Sequence, residues 1–179
     1  KPAFAAASSF SEGLAAVRTG DRWGYIDRKG TMAIAASFDL AGDFYQGRAA
    51  VTSEGRCFFL DPTGVRVGSQ DFDAAWPFVE DRAAVVVDGR MGFIDREGRM
   101  AVPPRYQPPV GGRVFSSGLA GVEIQGLWGY IDLNGSWFIE PFCEGVGDFS
   151  DGLGPVRRGG RWGFVSLSGE LAIPYTFED

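Results

Sequence analysis

The chain reads as an all-β protein built from five copies of one repeat, and three observations predict it. A phenylalanine recurs at Phe10, Phe44, Phe78, Phe115 and Phe149, at spacings of 34, 34, 37 and 34 residues. Behind it run further registers: Val17, Val51, Val85, Val122 and Val156, then Trp23, Cys57, Met91, Trp128 and Trp162, then the aromatics Tyr25, Phe59, Phe93, Tyr130 and Phe164. Finally, 27 glycines with no collagen period stand beside 15 phenylalanines, which is the composition of many tight turns joining short strands. A fixed period of this length is the signature of a repeat architecture.

Each copy divides into three strands. The first follows Gly13, Gly47, Asp81, Gly118 or Gly152 and carries the valine register. It ends at a two-residue loop: Glu54-Gly55, Asp88-Gly89, Gln125-Gly126, Gly159-Gly160, or the reversed Gly20-Asp21. Such pairs supply the positive φ that type I′ and II′ hairpin turns demand. The middle strand has apolar residues on both faces, since Trp23 and Tyr25 point one way while Gly24 and Ile26 point the other. A strand apolar on both sides is sandwiched, so neighbouring repeats must stack and share a core. The middle strand closes on an Asp-x-x-Gly turn, as in Asp27-Arg28-Lys29-Gly30 and Asp132-Leu133-Asn134-Gly135. There Asp accepts backbone N–H bonds and Gly takes the left-handed position. The third strand and a longer connection complete the copy, which is thus a three-stranded antiparallel meander.

The strings Arg22-Trp23-Gly24-Tyr25-Ile26-Asp27, Leu127-Trp128-Gly129-Tyr130-Ile131-Asp132 and Arg161-Trp162-Gly163-Phe164-Val165 resemble the bacterial WG, or KWG, repeat. The preceding Phe-Ser-x-Gly-Leu-Ala of the first and fourth copies does so too. The resemblance spans nearly the whole chain. It implies β-rich repeats, often accessory modules, and carries no catalytic residues to transfer. The second copy departs most, with Cys57-Phe58 in place of Trp-Gly, and is expected to pack differently; Met91 takes the Trp position in the third.

The expected organisation is a single repeat domain over 1–179, with copies at about 10–43, 44–77, 78–114, 115–148 and 149–179. Residues 1–9 complete the phase of the last copy. Phe4 precedes Phe10 by the same interval that separates Phe38 from Phe44, and Phe177 matches Phe38 through the parallel of Ile173 with Ile34. Ends that share a phase favour a propeller-like closed ring, which leaves no exposed edge. An open superhelical β-repeat array is the alternative.

Composition excludes several function classes. The net charge is −6 and the sequence pI about 4.7, and the densest basic cluster is Arg157, Arg158 and Arg161, so no nucleic acid partner is expected. No apolar run approaches the roughly 20 residues of a membrane span. A soluble protein follows, of bacterial cytoplasm or of periplasm and secretion. There is no histidine, which removes the Ser-His and Cys-His nucleophile pairs and the commonest metal ligand. Cys57 and Cys143 fall at non-equivalent repeat positions and read as core residues. The recurring Asp27, Asp61, Asp95 and Asp132 offer one carboxylate per turn where calcium needs six to eight oxygens, so they read as turn formers. Among the 23 acidic residues a glycosidase-like carboxylate pair is the one catalytic arrangement left open. No enzyme activity, cofactor or metal is expected.

In a repeat protein, function is sought where one copy departs from the others. Trp76 stands where the connections after the first and fourth copies hold Gly42 and Gly147. Trp137 opens a third strand where others carry Met32, Arg66, Met100 or Leu171. The connection from Pro103 to Arg113, with Arg105 and Tyr106, is three residues longer than its equivalents. Long loops on rigid scaffolds bind ligands, and exposed Trp, Tyr and Arg are favoured at protein interfaces. Trp76, Arg105, Tyr106, Arg113 and Trp137 are therefore the candidate site. It would recognise a protein, or alternatively a carbohydrate of the cell wall stacked on the aromatics; core filling and a purely structural spacer are the plain readings.

Overall fold

The Gly-containing turns reverse the chain where the sequence places them, and five antiparallel sheets result. The computed structural model describes residues 4–108 and 115–178. The first sheet contains β1 (Ala6–Ala7), β2 (Leu14–Thr19), β3 (Arg22–Asp27) and β4 (Met32–Phe38). The second contains β5 (Leu40–Ala41), β6 (Ala49–Ser53), β7 (Arg56–Leu60) and β8 (Arg66–Phe72). The third contains β9 (Ala74–Ala75), β10 (Ala83–Val87), β11 (Arg90–Ile94) and β12 (Met100–Tyr106). The fourth contains β13 (Leu119–Ile124), β14 (Leu127–Asp132) and β15 (Trp137–Cys143). The fifth contains β16 (Gly145–Val146), β17 (Leu153–Arg158), β18 (Arg161–Ser166) and β19 (Leu171–Phe177).

The three long strands of each sheet are the expected meander. The connection adds what the sequence pattern did not suggest: a two-residue strand on the free edge of the first long strand in four sheets. In the fourth sheet the bridge from Gln107 to Glu123 takes that place. The outcome is the four-stranded blade of propeller-like folds, with one edge covered.

Turn geometry follows local chemistry. Both central residues of Glu54-Gly55, Asp88-Gly89, Gln125-Gly126 and Gly159-Gly160 have positive φ, as type I′ requires. In the second turn the Asp27 carboxylate accepts the N–H groups of Lys29 and Thr31, both at 2.9 Å, and Asp61, Asp95 and Asp132 repeat the arrangement. These carboxylates are thus committed to the backbone.

Acid sensitivity follows. The Thr63 hydroxyl and the Val65 and Thr63 N–H groups hold Asp61 below its ordinary 3.8 against the effect of burial. Burial pushes Asp95 up, but the Arg99 N–H and guanidinium outweigh it, and Asp95 too lies below 3.8. The N–H groups of Gly160 and Gly159 hold Glu144 below 4.5. A pKa depressed in the folded state gives stabilisation that is complete above the unfolded value and lost as pH falls through the folded one. The urea midpoint is therefore expected to be level between about pH 7 and 5 and to decline below about pH 4, with a shallower decline in Asp95→Asn. A midpoint unchanged down to pH 3 would contradict this.

The sheets stack face to face, each burying a trailing face against the leading face of the next. Between the first and second lie Ala16, Tyr25 and Ile34 against Phe44, Ala49, Val51 and Leu60. The same positions recur at the later junctions. The repeated phenylalanine is the insert: Phe44, Phe78, Phe115 and Phe149 are at most 2% exposed. Each meets the middle-strand aromatic of the preceding sheet edge-on, at ring-centroid distances of 4.8–5.1 Å. Such pairs contribute roughly 0.5–1.5 kcal/mol beyond burial alone.

The Gly of the Trp-Gly motif is required by the third strand, whose bulges fold its backbone over the middle strand. A Cβ on Gly92 would lie 2.5 Å from the Val102 oxygen and 2.8 Å from the Pro104 nitrogen. The second copy, with Phe58 at this position, does pack differently. Its register irregularity is gathered between the Cys57 and Phe59 pairs, with Gly68 at φ 71° in β8, and Phe58 packs on Phe38.

The two outer faces differ in cover, with Ala15, Val17 and Ile26 of the first sheet at most 8% exposed. Phe10, in the same register as the four buried phenylalanines, is 49% exposed, and Phe177 at the other end is 50% exposed. Phe4 packs on Ala15, Val17 and Ile26. The propeller-like stacking of the repeats holds, and among the described residues no strand pairing joins the first sheet to the fifth.

Candidate functional site

Four of the five candidate residues come together at the junction of the third and fourth sheets. Trp76 follows β9, where its N–H donates to the Ala84 oxygen at 3.0 Å, the same bond that Gly42 and Gly147 make in their sheets. Its side chain packs, partly buried, on the core shared by the third and fourth sheets. Trp137 begins β15 on the leading face of the fourth sheet and packs on the same core. Its ring meets Tyr106 edge-on, with centroids 5.8 Å apart at 82°. Arg105 is exposed, lies over the Tyr106 ring at 5.0 Å, and donates to the Gly135 oxygen at 3.0 Å, joining one sheet to the next.

Tyr106 is a correction. It is 0% exposed and presents no face to a ligand. Strand pairing explains this: Met91 pairs with Tyr106 as Trp23 pairs with Phe38, Cys57 with Phe72 and Trp128 with Cys143. Tyr106 therefore holds the third-strand core position, and Pro103, Pro104 and Arg105 belong to β12 rather than to a loop. The three extra residues fall after Tyr106. Arg113 lies outside the described residues. Burial raises the Tyr106 hydroxyl pKa, opposed by Arg105.

Cys143 is buried between the fourth and fifth sheets, and burial pushes its thiol up to about 11, which keeps it protonated and unreactive near neutrality. No group of three or more Cys, Asp or Glu residues suited to a metal ion occurs among the described residues. Among them, too, no helix is long and apolar enough to cross a membrane.

A second surface escaped the reading of the sequence. The trailing face of the fifth sheet carries a cavity of about 490 Å³ lined by Gly147, Pro155, Trp162, Phe164, Phe177 and Glu178. Their register equivalents at the third sheet, among them Trp76, Ala84, Met91, Phe93 and Tyr106, are those covered by the fourth.

The sequence pattern of the WG containing repeat matches residues 1–23, 23–57, 71–90, 91–128 and 128–162. No curated protein sequence matches the chain. Among solved structures, the chain is similar to a eukaryotic initiation factor, with a TM-score of 0.61 at 12% identity, covering 94% of this chain and 54% of that one. BamB from Moraxella catarrhalis gives 0.52 at 14% identity, covering 95% and 60%. Hsv2p from Kluyveromyces lactis gives 0.51 at 10% identity, covering 94% and 62%. The chain thus spans between about half and two thirds of the length of these structures. At such identities the likeness is one of fold.

Proposed function

The chain belongs to the WG containing repeat family, and from that premise we propose that it is a non-catalytic binding module, one repeat domain that recognises a protein partner. One observation carries this reading. Of the five tryptophans, three sit in the Trp-Gly register, and the two that do not, Trp76 and Trp137, pack on the same junction. Exposed Arg105 lies beside them, and the lengthened connection enters there. Half-buried Trp with an adjacent Arg is the composition of an interface hot spot, because flat rigid rings bury area at small entropic cost. The absence of histidine and the raised Cys143 thiol support a role without catalysis. Glycan recognition is the less supported reading, since Tyr106 offers no stacking face.

The test is capture from bacterial extract and from purified cell-wall fractions, comparing wild type with a Trp76→Ala, Arg105→Glu variant shown by circular dichroism to remain folded. Wild type is expected to retain a protein that the variant loses at least tenfold. Equal capture by both would remove this junction as the site. Saturable quenching of tryptophan fluorescence by a soluble glycan would favour the carbohydrate reading instead.

A further inference from the structure

Resting on the protein-recognition reading above, we infer that the junction of the third and fourth sheets takes a carboxylate of an acidic peptide segment of the partner. The carboxylate sits between Arg90, Gln107 and the hairpin turn Gln125-Gly126.

The place is defined by what its equivalents do in the other copies. The residue after each of four third strands donates its N–H to the following sheet: Asp39 to the Thr52 oxygen, Asp73 to Val86, Gln107 to Glu123 and Glu144 to Arg157, at 2.8–2.9 Å. This shared bond puts residue 107 where Asp39, Asp73 and Glu144 stand. Those three are acidic, and each is engaged. Asp39 pairs with Arg22 and accepts the Glu54 N–H of the next hairpin turn at 2.7 Å. Asp73 pairs with Arg56. Glu144 accepts the N–H groups of Gly159 and Gly160, both at 2.9 Å. A carboxylate at this position therefore neutralises the arginine that opens the middle strand, caps the next hairpin turn, or does both.

The third copy keeps both recipients and lacks the carboxylate. Arg90 holds the register of Arg22 and Arg56, and Gln125-Gly126 holds that of Glu54-Gly55 and Gly159-Gly160. Gln107 carries no charge. Among the described residues no acidic side chain pairs with Arg90 or caps Gln125-Gly126, and Arg90, Gln107 and Gln125 are all exposed. Two acids nearby do not substitute. Asp88 holds the register of Glu54, which leaves Arg56 to Asp73. Glu123 alternates with Val122, whose side chain lies in the core between the third and fourth sheets, so Glu123 is directed to the opposite face. Guanidinium and backbone N–H groups converging on a carboxylate form hydrogen bonds of the charge-assisted, stronger kind. Leu127, 43% exposed where other copies carry arginine, offers an apolar contact beside them.

The experiment presents the full chain with an array of short synthetic peptides carrying Asp or Glu at the centre, beside the same peptides with Asn or Gln there. Wild type is expected to bind a subset of the acidic peptides and to bind their amide counterparts at least tenfold more weakly. Arg90→Ala should lose the acidic peptides at least tenfold. Gln107→Glu supplies the missing carboxylate from the chain itself and should block them to the same degree. That variant also reports on its own geometry. Its urea midpoint should rise at pH 7, and the gain should vanish below about pH 4. The reason is that a carboxyl capped as Glu144 is titrates below its ordinary 4.5 and stabilises only while ionised. A wild type that binds no acidic peptide, equal binding of the amide counterparts, or full binding by Gln107→Glu overturns the inference. Loss of a captured protein by Trp76→Ala, Arg105→Glu with full retention by Arg90→Ala overturns it too, while leaving the junction as the partner surface. Acidic peptides that need Arg90 but bind equally to Trp76→Ala, Arg105→Glu uphold the carboxylate place and remove those two residues from the partner surface.

Discussion

Phe78→Ala is expected to lower the unfolding free energy by about 3–5 kcal/mol, the range for deleting a fully buried aromatic side chain. Phe78 is 1% exposed and lies among Phe59, Phe72, Ala83, Val85 and Ile94 at the junction of the second and third sheets. Its ring sits 5.1 Å from that of Phe59 at 73°, and neither sheet can collapse into the void while both are held by their own hydrogen-bond ladders. A loss of that size is a large share of the roughly 5–15 kcal/mol by which a domain is stable. Because repeat stability is carried by nearest-neighbour interfaces, the urea transition should also broaden as the array divides at this junction. The informative control is Phe10→Ala, the same substitution in the same register. With Phe10 half exposed, about 1 kcal/mol is expected. Equal losses at the two positions would mean that Phe10 is packed as closely as Phe78.

The second large effect is Gly92→Ala. The added methyl would stand 2.5 Å from the Val102 oxygen, 2.8 Å from the Pro104 nitrogen and 3.0 Å from the Pro103 carbonyl carbon, all backbone. Relief requires the bulge of β12 to move away from β11, and the rigid Pro103-Pro104 pair resists that movement. A loss of about 3 kcal/mol or more is expected, the upper part of the range for overpacking. Gly126→Ala separates this clash from ordinary turn strain. Gly126 has φ 82° with nothing within 4 Å of a built Cβ, so it should cost only the left-handed penalty of about 1–2 kcal/mol. Denaturant titration of both variants checks the order. A Gly92→Ala protein as stable as wild type would mean that the bulge is soft, and that Phe58 needed no rearrangement of the second sheet.

Much of the fold was legible because its determinants are local. The hairpin pairs and the Asp-x-x-Gly turns act over two to four residues, and the structure places them as read. The apolar character of both faces of the middle strand correctly demanded stacking. Two local features were nevertheless missed. Phe-Ser-x-Gly is itself a turn, with Glu12 at φ 51° and reciprocal bonds between Ser11 and Leu14; an acidic residue in the left-handed region gives little warning in sequence. The two-residue edge strands are too short to show any alternation.

Tyr106 shows why the candidate site was harder. Its chemistry is that of a binding residue, and only its pairing with Met91 reveals that it does the work of Phe38 and Phe72. The three-residue lengthening hid that equivalence, because the interval to Phe115 no longer matches. Trp76 and Trp137 were singled out as departures from the repeat. That they share one junction depends on which sheets are neighbours.

The sequence by itself determined the number of repeats, the meander within each, and the turns between strands, because these depend on backbone preferences and on residues a few positions apart. Tertiary structure decided which of several identical residues are core. Phe10 and Phe78 share one register and one turn, yet one is half exposed and the other 1% exposed. Burial belongs to a residue only when another part of the fold stands against it, and the stacking of the sheets decides which residues are met in this way.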